Sequence, residues 1–195
     1  MRGYFIYIIL LAIGSLLLLL EPYSSEWLRF DREKIAVGEV WRLVTANYVH
    51  LSQTHALGNG LGVVLLGYIA GSAFNNKVGL VLLVWSSLVV GVGLYAFADY
   101  LYFYVGFSGV LHALLLVAPF VSAAYSFRAA LLFLVIIVAK VVWEQTPFYN
   151  DMALFQSIGG RVETNAHALG VLAGTGFLLV YYRHSLLVFL KKKTS

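Results

Sequence analysis

The sequence predicts an all-α membrane protein, a bundle of six transmembrane helices, and three observations support that prediction. Hydrophobic residues make up 61% of the 195 positions and charged residues only 11%, far fewer charges than the surface of a soluble domain carries. Six apolar stretches of near-spanning length follow one another. The charges between them alternate in sign from loop to loop.

The stretches cover roughly residues 4–20, 55–74, 78–98, 107–126, 127–143 and 165–183. Each approaches the length a helix needs, at about 1.5 Å per residue, to cross about 30 Å of hydrocarbon. The first, Tyr4 to Leu20 behind Arg2, is long for a signal-peptide core. No small-residue cleavage site precedes Glu21-Pro22, so it reads as a retained helix. The fourth and fifth are almost continuous, and Arg128 with the polar group Ser122, Tyr125 and Ser126 separates them. One membrane domain accounts for residues 1–195, with a long loop one at about 21–54 and a basic tail at about 184–195.

Charge orients the bundle. Arg2, Lys77, Arg128, Arg183 and Lys191-Lys192-Lys193 fall at the amino terminus, the second and fourth loops, and the tail. Six spans put all of these on one side, which the positive-inside rule makes cytoplasmic, with both termini there. Asp99, Glu144, Asp151 and Glu163 lie in or beside the opposite loops. Loop one runs against the rule with Arg29, Arg32, Lys34 and Arg42, but the other positions place it outside. Its Tyr23, Trp27, Phe30 and Trp41 suit an element lying in the lipid interface.

Some chemistries are excluded. No cysteine is present, so disulfides, a catalytic thiol and thiolate metal sites are ruled out. No basic patch interleaved with aromatics points to nucleic acid. No internal repeat supports a transporter.

Polar residues inside a bilayer are costly and need a reason. Here they collect where three helices begin: His50, His55 and Asn59 at the second, Ser108 and His112 at the fourth, Asn165 and His167 at the sixth. All three helices enter from the outer side, so the groups share one shallow layer. Gly106 and Gly109 strip side chains from around Ser108, letting backbone or substrate approach. A serine in a first helical turn also has unpaired backbone N–H groups beside it, suited to a developing oxyanion. Gly170 and Gly174, four apart, mark a close-packing face that His167 shares. If the fourth helix packs there, Ser108 and His167 meet as nucleophile and base. His55 and Asn59 lie on one face and both can donate hydrogen bonds. They are either a structural polar pair or part of an oxyanion hole. His50 is expected to cap loop one. No metal is expected, because no two histidines stand four apart and no carboxylate joins them within the apolar helices. Lys140 and Glu144 read as an ion pair near the outer end of the fifth helix.

These residues resemble a known family. Trp41-Arg42-x-x-Thr45 followed by His50, His55 and Asn59 resembles the loop-one and second-helix signature of rhomboid proteases. Gly106-Phe107-Ser108-Gly109 resembles their nucleophile motif, and Ala166-His167-x-x-Gly170-x-x-x-Gly174 their catalytic histidine motif, in the family's order over roughly residues 38–180. The resemblance implies a Ser108–His167 dyad with no third acid, in a cavity open to the outer face. It makes His55, Asn59 and the Ser108 N–H the oxyanion hole, and Trp41-Arg42 part of a structural loop.

One position departs from the common pattern. Rhomboids usually carry an aromatic residue four after the serine, stacked on the catalytic histidine; here it is His112. Gly106-Phe107-Ser108-Gly109-Val110-Leu111-His112 resembles the rhombosortase branch. That resemblance implies a bacterial inner-membrane enzyme whose active site opens to the periplasm. It also implies a membrane-anchored client with a carboxy-terminal Gly-Gly motif, a transmembrane helix and a basic tail. No cofactor is implied. His112 would tune, orient or stack on His167. The competing reading is an inactive rhomboid-like protein that binds membrane clients.

Overall fold

A computed structural model describes residues 4–74 and 76–193, with side chains except at 76, 153 and 182–193. Arg2 and the side chains of Arg183 and the Lys191–Lys193 tail lie outside the described set. The first apolar stretch forms α1 (Phe5–Leu19). Loop one folds into α2 (Tyr23–Leu28), α3 (Arg32–Ala36) and α4 (Arg42–Thr45), followed by a 3₁₀ turn at Ala46–Tyr48. Then come α5 (Gln53–Ala70), α6 (Asn76–Phe97), α7 (Ser108–Val121), α8 (Phe127–Glu144), the short α9 (Met152–Ile158) and α10 (Thr164–Lys193). Two antiparallel two-residue strands, β1 (Phe30–Asp31) and β2 (Phe103–Tyr104), pair Phe30 with Tyr104 and Asp31 with Phe103.

The expected break between the fourth and fifth stretches is present, and capping explains it. α7 stops at Val121, and the Ser126 hydroxyl accepts the Ala129 N–H at 3.3 Å to start α8. α5 begins two residues earlier than expected because Ser52 caps it, accepting the His55 N–H at 3.2 Å. α10 continues to Lys193, past the expected end near 183.

α7 is the hub of the bundle and packs against α5, α6, α8 and α10. Its Val110, Ala113, Leu114, Leu116, Val117 and Ala118 are all but sealed from solvent. All of these but Ala113 share a core with Tyr7, Val63, Leu66 and Leu82. The outward faces of the other long helices expose Ile8, Leu80, Leu132, Val135, Leu172 and Leu179. Such broad apolar surface is at home in lipid rather than water. Among the described residues, Lys77–Phe97 alone is a helix both long and apolar enough to cross a bilayer by length and composition. Phe5–Leu19 and Ser108–Val121 are apolar but shorter. α5 and α8 are more polar because they carry His55 and Asn59, and Arg128, Lys140 and Glu144.

Loop one is a packed structure rather than a coil. Arg42 is 1% exposed. Its guanidinium donates to Glu39 at 2.7 Å and to the Glu26 and Arg29 carbonyls at 3.0–3.1 Å. Arg32 donates to the carbonyls of Leu94, Tyr95, Ala98 and Leu101, closing the carboxy-terminal end of α6. Two of the loop's basic residues therefore serve backbone carbonyls, which accounts for part of its unusual charge. Tyr23, Trp27 and Trp41 face outward as an interfacial element requires. Phe30 does not: β1 turns it into a core with Ile35, Leu94 and Tyr104.

Candidate active site

Close packing of α7 on α10 builds the site. A Cβ at Gly109 would lie 2.7 Å from the Ala166 carbonyl oxygen, and one at Gly170 would run into the Gly109 carbonyl oxygen. A Cβ at Gly174 would stand 3.0 Å from the Ala113 carbonyl oxygen. The glycines therefore let the two backbones touch, and Gly170 and Gly174 face α7, the helix on which the Ser108–His167 pairing was conditional. Ser108 opens α7 one residue before Gly109, and His167 follows Ala166. The result is a 2.9 Å contact between Ser108 Oγ and His167 Nε2.

Gly106 precedes Ser108 with φ +134°, a conformation only glycine adopts without strain. Its N–H donates to the Ala46 carbonyl at 3.0 Å and its carbonyl accepts the Tyr104 hydroxyl at 2.7 Å. The chain thus turns sharply into α7. Among the described residues, the N–H groups of Ser108, Gly109 and Val110 have no backbone acceptor, as a first helical turn leaves them.

His55 and Asn59 line the same cavity of about 780 Å³ as Ser108 and His167. The Leu51 N–H donates to His55 Nδ1 at 3.3 Å, so the ring proton sits on Nε2, the nitrogen beside Gly106. The Asn59 amide donates to the His55 carbonyl at 3.3 Å. The roof of the cavity comes from the segment after α8. Ser52 donates to the Ile158 carbonyl at 2.8 Å, and Tyr100 joins Glu163 and Asn165. The starts of α5, α7 and α10 therefore meet at one end of the bundle, as their polar residues implied.

His50 departs from expectation. Neither ring nitrogen finds a hydrogen-bond partner among the described residues, so it caps nothing. Ser52 takes the capping role instead. The His50 ring stands edge-on to His55 at 5.2 Å. Burial, with His55 as a second cause, lowers its pKa from 6.5 to about 4. The Trp41 indole N–H donates to the Trp27 backbone carbonyl at 3.3 Å, tying Trp41 to the end of α2.

His112 stacks on His167 with ring centres 4.2 Å apart and planes 24° from parallel. Its Nδ1 lies 2.7 Å from the Ser108 carbonyl. At the Nδ1 edge of His167 stands a residue the sequence did not place there. Glu144 is 6% exposed, and its Oε2 lies 2.9 Å from His167 Nδ1. Lys140 Nζ is 2.7 Å from Glu144 Oε1, 2.8 Å from His112 Nε2 and 3.4 Å from His167 Nδ1. Two expectations are corrected. A third acid does face the histidine, and a buried carboxylate does join His112 and His167. The Lys140–Glu144 spacing was visible in the sequence; its target, 23 residues further along the chain, was not. The available signal was a Lys–Glu pair kept within an apolar helix.

The ligand atoms of His112, Glu144 and His167 lie within 4.8 Å of one another, close enough to share a metal ion. The Lys140 ammonium already stands among them, where such a cation would go.

A family model described as Rhomboid domain matches residues 37–184. No curated protein matches the chain.

Proposed function

The chain belongs to the Rhomboid domain family, whose members include intramembrane serine proteases, and from that premise we propose that Ser108 is its nucleophile and His167 its general base. The 2.9 Å approach of Ser108 Oγ to His167 Nε2 carries the reading. The hydroxyl attacks the scissile carbonyl as its proton passes to Nε2. A C–O bond forms and the carbonyl oxygen takes the negative charge. The Ser108 N–H, His55 and Asn59 then serve as the oxyanion donors, each worth on the order of 3 kcal/mol of barrier. His167 gives the proton to the leaving amine as the C–N bond breaks, and water resolves the acyl-enzyme with the same base.

In this reading α1, α5, α6, α7, α8 and α10 cross the membrane and the polar end faces the periplasm of a bacterial inner membrane. The substrate is a membrane-anchored protein whose helix must unwind locally to expose a peptide bond. A Gly-Gly sequence before the anchor lowers the cost of that unwinding. The Gly-Phe-Ser-Gly-Val-Leu-His run and the stacked His112 support this client class.

The test is co-expression with a secreted protein bearing a Gly-Gly motif, a transmembrane helix and a basic tail. Cleavage should occur with the wild-type chain and vanish in Ser108→Ala and in His167→Ala. Cleavage that persists in Ser108→Ala would remove Ser108 from the role. Binding of the client with no cleavage in any variant would leave the inactive-binder reading.

A further inference from the structure

We propose that Glu144 is a positioning residue that completes a Ser108–His167–Glu144 unit, and that Lys140 and His112 close it into a ring of hydrogen bonds. The inference rests on the proposed roles of Ser108 and His167.

The proton positions follow from the partners. The Ser108 carbonyl can only accept, so His112 Nδ1 carries a proton and donates to it at 2.7 Å. His112 Nε2 is then bare and accepts from Lys140 at 2.8 Å. Lys140, a donor only, also donates to Glu144 Oε1 at 2.7 Å. Glu144 Oε2 remains to accept, and at 2.9 Å it accepts the hydrogen bond donated by the His167 Nδ1–H. That leaves His167 Nε2 bare and 2.9 Å from the Ser108 hydroxyl, the state a base requires. With Nδ1 donating to Glu144, the 3.4 Å approach of Lys140 to the same nitrogen is not a hydrogen bond. Each contact in the ring pairs a donor with an acceptor, and the ring begins and ends on Ser108.

The geometry gives Glu144 two tasks. It fixes the tautomer and plane of His167, and its charge faces the imidazolium that forms when Ser108 gives up its proton. Lys140 holds the carboxylate in place through the one-turn spacing on α8. Because Lys140 also spans to His112, the stacked ring becomes part of the same support. Glu144 and Lys140 themselves touch no reacting atom.

Substitution by Gln separates shape from proton control. Lys140 would bond the amide oxygen of Gln and turn the NH₂ toward His167 Nδ1. Nδ1 would then accept, and the ring proton would move to Nε2, where it blocks uptake of the Ser108 proton. Asp is shorter yet still accepts. The test uses the purified full-length protein in detergent micelles with a fluorophosphonate probe. Ser108 Oγ attacks phosphorus, an O–P bond forms, fluoride leaves, and the hydroxyl proton passes to His167.

Glu144→Gln should slow labelling roughly 100-fold or more, by analogy with loss of the third member of other triads. Glu144→Asp should recover a large part of the rate. A purely structural role gives the opposite order, because Gln preserves size and Asp does not. Selective ¹⁵N-histidine NMR, with the His167 signals assigned by their loss in His167→Ala, should show the proton on Nδ1 in wild type and on Nε2 in Glu144→Gln. The NMR readout holds for any folded variant, whatever its activity. Equal rates for wild type and Glu144→Gln, or an unchanged His167 tautomer, would overturn the proposal. So would labelling that a chelator abolishes and zinc restores, since a metal would then hold His112, Glu144 and His167. Absence of Ser108-dependent labelling in the wild type would instead count against the proposed function itself.

Discussion

Gly109→Ala adds one methyl group where α7 and α10 hold Ser108 and His167, the proposed nucleophile and base, together. The new Cβ would sit 2.7 Å from the Ala166 carbonyl oxygen, 3.1 Å from its carbon and 3.2 Å from its Cβ. Neither backbone can yield as a flexible side chain would. Moving from 2.7 Å to the 3.4 Å of an ordinary contact requires the helices to part by 0.7 Å. Ser108 and His167 are the next residues along each chain, so the separation passes to their contact. The 2.9 Å Oγ–Nε2 approach would stretch to about 3.6 Å, outside hydrogen-bonding range. A misplacement of this order lowers a rate by about 30- to 100-fold. Overpacking of a well-packed contact also destabilises by about 1–3 kcal/mol. Fluorophosphonate labelling rates and thermal unfolding in detergent measure the two effects. Gly176→Ala, on α10 with nothing within 4 Å of its Cβ, is the control. It should label at the wild-type rate and be stabilised by about 0.5–1 kcal/mol. A Gly109→Ala protein that labels as fast as wild type, with an unchanged unfolding midpoint, would mean that the α7–α10 contact does not hold Ser108 against His167.

Three further outcomes are expected. Arg42→Lys should lower stability by on the order of 3 kcal/mol in thermal denaturation, because an ammonium cannot reach Glu39 and two carbonyls as the guanidinium fork does. His50 sits in the loop ahead of α5 with a pKa of about 4 against an ordinary 6.5. Between those values the unfolded chain binds the proton and the folded one does not. Stability should be full above about pH 6.5 and fall by up to about 1.4 kcal/mol per pH unit towards pH 4. His50→Leu should flatten that slope in pH-dependent unfolding. Ser52→Ala should cost about 1 kcal/mol as a lost cap and speed proteolysis near Ile158, whose carbonyl it releases.

The sequence made the proposed pair, Ser108 and His167, legible because each member lies in a local pattern. Gly106-Phe107-Ser108-Gly109 and Ala166-His167 with Gly170 and Gly174 carry a close-packing requirement in their glycine spacing; which helix meets that requirement was open in the sequence, and the structure puts α7 there. The break near Ser122 and Ser126 was legible for the same reason, since capping is local. Glu144 was not. Its role depends on the rotation of α8 about α10, which an i,i+4 pair with Lys140 does not specify. Phe30 was misplaced because its burial comes from pairing with Tyr104, 74 residues away, and a two-residue strand leaves no periodic signal. α9 and its bond to Ser52 were hidden likewise. His50 was expected to cap loop one, but its buried ring has no hydrogen-bond partner among the described residues and packs edge-on to His55, a contact without a local signal.

Mass spectrometry of the fluorophosphonate adduct on the purified chain tests the meeting of Ser108 and His167 most directly. A single modified peptide with the probe on Ser108 is expected, and no adduct in His167→Ala. An adduct on another serine, or equal modification of Ser108 once His167 is replaced, would contradict it.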